Sequence, residues 1–166
     1  MKNAPQPIPP GPGQETVWHY PRTPRVEPTT KRIQVIHADR IIVDTRDAYR
    51  VIERGHPPAY YVPPEAILFP CLQQTLQEFS CPFKGRAWLC NLEGPSFMVR
   101  HAAWSFIEVL PAYQAIQFYV AFHAHLLDQC LVEGERVTPQ PGGYYGGWIT
   151  ADIVGPFKGG VGTLDW

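Results

Sequence analysis

A chain of 166 residues with a net charge of −1, 17% charged residues, 19 prolines and 14 glycines has the length of one domain plus tails and can bury roughly 70% of its unfolded surface. The charged fraction is below the ~25% usual for globular proteins, so loops and aromatic packing outweigh a salt-bridged helical surface, and no basic excess points to a nucleic-acid partner. No run of about 18 apolar residues is present, and residues 1–12 have neither the basic start nor the apolar stretch of a signal peptide, so the expectation is a cytoplasmic protein without a membrane span. The four cysteines, Cys71, Cys81, Cys90 and Cys130, form no Cys-x-x-Cys pair and match no zinc spacing. No metal or other cofactor is expected, and Cys90 and Cys130, inside apolar runs, read as small buried hydrophobes.

In chain order, residues 1–16 hold five prolines, two glycines and almost nothing to bury, which predicts a flexible tail. Residues 17–30 carry Trp18 and Tyr20 between prolines and read as an extended arm over the domain, with Arg22 and Arg25 projecting from it. Residues 31–37 and 40–44 alternate around Ala38-Asp39 and predict a hairpin. Residues 47–53 suit both a short helix and a strand; the alternation of Tyr49, Val51 and Glu53 favours the strand. Residues 55–58 read as a chain break and 59–62 as a strand. Residues 87–92 and 96–100 flank Glu93-Gly94-Pro95 as a second hairpin, residues 102–106 extend the sheet, and 111–117 is the best helix candidate, of at most two turns, with Ala112, Ala115 and Ile116 on one face. Residues 118–122 are β-forming, and 129–132 with 136–138 make a last hairpin. From Pro139 on, Gly-flanked aromatics predict a tail ordered by packing on the domain. The chain thus divides into a flexible tail (1–16), an arm (17–30), one β domain (31–138) and a C-terminal tail (139–166).

One tetrapeptide occurs twice, as Pro82-Phe83-Lys84-Gly85 and Pro156-Phe157-Lys158-Gly159. Proline fixes φ, the aromatic anchors, lysine projects a cation and glycine permits a close backbone approach, so each copy describes a tight basic corner. The two corners are expected to approach one region, with the tail closing one side of a pocket that contains Lys84 and Tyr61.

The stretches Ala59-Tyr60-Tyr61-Val62-Pro63, Cys81-Pro82-Phe83-Lys84-Gly85, Ala103-Trp104-Ser105-Phe106 and Ala121-Phe122 resemble the domain-of-unknown-function family 427 over about residues 31–138. The resemblance implies a compact, mainly β domain of coiled antiparallel sheets, similar to the β-tent arrangement without its zinc cysteines, and it implies no established activity. Where the family usually has Pro-Asp-Pro, this chain has Ile107-Glu108-Val109, which keeps one carboxylate. A nucleotidyltransferase-like label is attached to the family, yet the residues supply neither a Gly-Ser followed by paired aspartates nor a phosphate loop.

Lys84 beside Cys81 can hold a carboxylate or phosphate or, if desolvated, act as a base; the plain alternative is a solvated turn lysine. Cys81 is a candidate thiolate with no histidine at a telling position. His123-x-His125 lacks the further carboxylate of a metal site. Tyr61, Trp104, Tyr144, Tyr145 and Trp148 can wall a pocket for a flat ligand or serve as core. The leading expectation is a small β domain binding a small anionic or aromatic ligand, nucleotide-like ones included, through Lys84, Tyr61, Trp104, Arg22 or Arg25, Tyr145, Trp148 and Lys158. A second is a hydrolase or transferase using Cys81 or Glu108 with Lys84. A third is an interaction module, or homo-oligomer, docking through arm and tail.

Overall fold

The computed structural model describes residues 3–166; Met1 and Lys2, at the start of the expected flexible tail, lie outside the described residues. The strands are β1 (Glu15–Thr16), β2 (Arg25–Thr29), β3 (Ile33–His37), β4 (Arg40–Thr45), β5 (Ala48–Glu53), β6 (His56–Tyr61), β7 (Leu72–Cys81) and β8 (Gly85–Gly94). They continue with β9 (Phe97–Val109), β10 (Val120–Phe122), β11 (Gln129–Val132), β12 (Glu135–Arg136), β13 (Thr138–Pro139), β14 (Trp148–Ile149) and β15 (Ile153–Val154). Three larger sheets run β2-β5-β6, β12-β11-β3-β4 and β10-β9-β8-β7, and two-stranded pairs join β13 to β14 and β1 to β15. All pairings are antiparallel except β1 with β15. The architecture is the mainly β, antiparallel one expected.

The β3–β4 hairpin turns on Ala38 and Asp39, both left-handed at φ 49° and 59°, the two-residue loop whose twist matches its strands. The residues 47–53 are strand β5, hydrogen-bonded on both sides. Two expectations need correction. Pro57 and Pro58 do not break the chain but lie inside β6, at the sheet edge where the β5–β6 register shifts, a place where a missing N–H costs no ladder bond. The short helix is a 3-10 helix, Pro111–Ile116, burying Tyr113 and Ile116; three residues per turn stack i on i+3, so Ala112 and Ala115 face outward.

Two main cores separate the sheets. One gathers Ile33, Val35, Ile42, Leu92, Phe122 and Trp148; the other gathers Val51, Tyr61, Trp104, Phe106, Tyr113 and Ile116. A third, small core joins the arm to the tail, with Val17, Trp18 and Tyr20 against Ile52 and Ile153 and with Phe157 and Trp166 alongside. Trp18 Nε1 donates to Pro156 O at 2.8 Å. The expected tail over residues 1–16 ends in β1, and Ile8 N donates to Gly155 O at 2.9 Å. Composition had pointed away from order here because the partners of these backbone groups lie more than 130 residues downstream.

The arm is clamped onto β5 by ion pairs. Arg50, 18% exposed, binds Glu15 and, at 3.0 Å, Glu27. Burial raises the Glu15 carboxyl, but hydrogen bonds from Arg50 and Tyr20 outweigh it and hold the carboxyl below its ordinary value.

Candidate functional site

The two Pro-Phe-Lys-Gly corners meet one structural demand twice. Gly85 sits at φ 134° and Gly159 at φ 130°. A Cβ on Gly85 would lie 2.0 Å from Glu108 O, and one on Gly159 would lie 2.2 Å from Pro141 O. In each corner only glycine lets the backbone come this close to a carbonyl. The first corner is the loop of the β7–β8 hairpin, tied down by Leu110 N donating to Lys84 O. The second follows β15 and is tied to the β5–β6 turn by Lys158 N donating to Gly55 O at 2.8 Å.

Both lysines line one cavity of about 530 Å³, within the roughly 300–1,000 Å³ of small-molecule sites. Its floor is Tyr61 at the end of β6 with Trp104 and Phe106 on β9; Cys81 and Phe83 form the corner side, and Tyr144 and Tyr145 form the tail side. Trp104 Nε1 donates to Tyr61 Oη at 3.1 Å, and burial pushes the Tyr61 phenol up, so it stays protonated. Lys84 Nζ lies 5.9 Å from the Phe106 ring centre. Among the described residues neither Lys84 nor Lys158 forms an ion pair.

The cavity also contains residues that sequence reasoning did not single out. Glu53 and His56 face each other across the β5–β6 turn, with His56 Nε2 3.3 Å from Glu53 Oε2. His56 Nδ1 meets Gln140 Nε2 at 2.9 Å, and its ring packs edge-on to Tyr145 at 4.6 Å. Burial, with Lys158 and Lys84 nearby, lowers the His56 pKa to about 4. Burial raises the Glu53 carboxyl, and the same two lysines oppose that rise. His123, weighed from sequence only as half of a metal pair, also lines the cavity; its ring is tilted 47° to Trp104 with centres 4.6 Å apart, burial with His125 and His101 lowers its pKa to about 4, and its Nδ1 is buried without a partner among the described residues.

Of the residues singled out from sequence, Lys84, Lys158, Tyr61, Trp104, Tyr144, Tyr145, Cys81 and His123 line this cavity, and Trp148, Arg22, Arg25 and Glu108 lie apart. Trp148 is 1% exposed in the first core, its Nε1 donating to Phe122 O at 3.0 Å. Arg22 and Arg25 are exposed, and Arg25 binds Glu27. Glu108 stands outside, held with Glu78 by Arg86. Among the described residues no three His, Cys, Asp or Glu side chains converge as metal ligands, and no helix is long and apolar enough to cross a membrane.

A second groove of about 450 Å³ lies between arm and tail, lined by Glu15, Glu27, Lys31, Arg50 and Asp152. Its charges are spent on one another, Lys31 on Asp152 and Arg50 on both glutamates. It is a clasp, and the two lysines without an ion pair among the described residues line the larger cavity.

A family model described as "Domain of unknown function (DUF427)" matches residues 25–133. The chain belongs to that family. The matched region runs from β2 into the turn after β11, so it includes Tyr61, Cys81, Lys84 and Trp104 and stops short of Gln140, Tyr145 and Lys158. No curated protein matches the chain.

Proposed function

We propose that this domain binds a small anion with a flat aromatic body, nucleotide-like ligands included, in the cavity between the two corners. The observation that carries the reading is that the lysines of both tetrapeptide copies line one aromatic-walled cavity, and among the described residues neither forms an ion pair, Glu53 being the one carboxylate whose charge acts on both. Two ammonium groups beside one concavity repel, and an entering anion relieves that repulsion in a medium of lower dielectric than water. Tyr61, Trp104 and Tyr145 supply the apolar walls, and the Tyr61 hydroxyl, accepting from Trp104, still has its proton to donate.

A hydrolase or transferase reading keeps one supporting observation, that Cys81 lines the same cavity beside Lys84. Glu108 leaves that reading because Arg86 holds it outside. The interaction-module reading loses its main anchors: Trp18 and Trp148 are used inside the chain.

Sulfate or phosphate should raise the melting temperature more than chloride at equal ionic strength. Saturating a site to 100 times its Kd adds about 2.7 kcal/mol, or several degrees at roughly 2–4 °C per kcal/mol for a chain of this size. Lys84→Met should remove the difference and leave the fold intact. Equal effects of the anions, or a difference that survives Lys84→Met, would refute the reading.

A further inference from the structure

A chain of hydrogen bonds behind the lysines specifies more of the ligand than its charge. Gln140 Oε1 accepts from Gly147 N at 3.0 Å and Gln140 Nε2 donates to Lys158 O at 2.8 Å. These two backbone partners fix the orientation of the amide, so the second Nε2 hydrogen is the one that points at His56 Nδ1. His56 Nδ1 therefore accepts and its proton resides on Nε2, the nitrogen that lies 3.3 Å from Glu53 Oε2. The Glu53 side chain is 25% exposed and that of His56 12%. Among the described residues Glu53 Oε1 has no hydrogen-bond partner, and Glu53 lines the cavity. Neither Glu53 oxygen accepts a hydrogen bond within the described residues, Oε2 having only the 3.3 Å approach of His56 Nε2, so a carboxylate partly drawn from water faces the cavity with its acceptor capacity unused.

We propose that Glu53, held by His56 and Gln140, receives a hydrogen-bond donor of the ligand, so that the ligand is an aromatic acid that also carries a hydroxyl or amino group. This rests on the anion-binding reading of the same cavity. The lysines meet the acid, the aromatic walls meet the ring, and the free oxygen of Glu53 meets the donor. His56 and Gln140 are positioning residues: Gln140 sets the His56 tautomer, and His56 Nε2 stands 3.3 Å from the carboxylate. The arrangement discriminates because a ligand without the donor displaces water from the Glu53 carboxylate and leaves it unpaired, which costs more than a neutral contact gains.

The test is calorimetric titration of the full chain with benzoate, 3-hydroxybenzoate and 4-hydroxybenzoate. At least one hydroxybenzoate should bind about tenfold tighter than benzoate, the effect of one hydrogen bond to a charged acceptor. Glu53→Gln should lose that preference while benzoate binds as well or better, since a negative charge has left the cavity. Lys84→Met should weaken benzoate and hydroxybenzoates alike. Benzoate and both hydroxybenzoates binding equally to the wild-type chain overturns the Glu53 subsite and leaves the anion site standing, whatever the stability of the variants. A preference that persists in Glu53→Gln overturns it too. No binding by any of the three overturns the subsite together with the reading it rests on.

Discussion

His56 and His123 both carry pKa values lowered to about 4, against ~6.5 in an unfolded chain. Between those values the unfolded state binds protons that the folded state refuses, so stability falls as pH drops from about 6.5 to about 4 and levels off below. Each histidine contributes on the order of 2 kcal/mol to that loss. Glu53 works in the other direction, because a raised carboxyl takes up its proton earlier in the folded state and recovers part of the loss. Glu15, Glu27 and Asp152, all held low, release their share of stability only at lower pH. Urea midpoints should therefore fall between pH 7 and pH 4.5, and His56→Asn and His123→Asn should each flatten the profile. A midpoint constant from pH 7 to pH 5 would show that these imidazoles are not buried as described.

At the scale of elements, the two glycine corners predict different failures. Gly85→Ala places a methyl group on Glu108 O inside the main sheet and should cost at least about 2 kcal/mol through strain at positive φ. Gly159→Ala meets Pro141 O in the tail and should unseat Lys158, removing the sulfate-specific rise in melting temperature with a smaller loss of global stability. Comparing the two melting curves with and without sulfate separates these outcomes.

The hairpins were legible in sequence because their turns had a chemistry of their own, as at Ala38-Asp39, and because one face of each strand is buried. Strand β7 had no such signature. Its residues are mostly exposed, with Leu76 99% exposed, so Leu-Gln-Gln-Thr-Leu-Gln-Glu-Phe shows no alternation, and its existence depends on pairing with β8. The tetrapeptide repeat made Lys84 and Lys158 visible, since identical backbone demands select identical residues. Glu53, His56 and Gln140 were invisible because they sit 87 positions apart at the extremes, in a hairpin tip and a tail that become neighbours only after folding.

For the whole molecule, the arm and the tail stabilise each other. β1 pairs with β15, Trp18 binds Pro156 O and packs 6.1 Å from Trp166. Trp18→Ala should remove the centre of this third core, at about 3–5 kcal/mol for a large buried side chain. It should also make the chain newly sensitive to trypsin after Arg22 at one end and Lys158 at the other, while the three larger sheets persist by circular dichroism. Cleavage confined to the arm, with Lys158 still protected, would show that tail and arm dock independently.

Every strand of the three larger sheets is complete by Arg136, whereas Gln140, Tyr145 and Lys158 follow it. During synthesis, which proceeds from the N-terminus, the sheets can close before the cavity has its second wall or its second ammonium. Closure of the sheets and completion of the cavity are thus separated in the order of synthesis, and on the anion-binding proposal the chain gains its site last. A protease cutting between Trp148 and Lys158 acts on the same division from the other side: Trp148 stays in the core, and the corner that carries Lys158 is released.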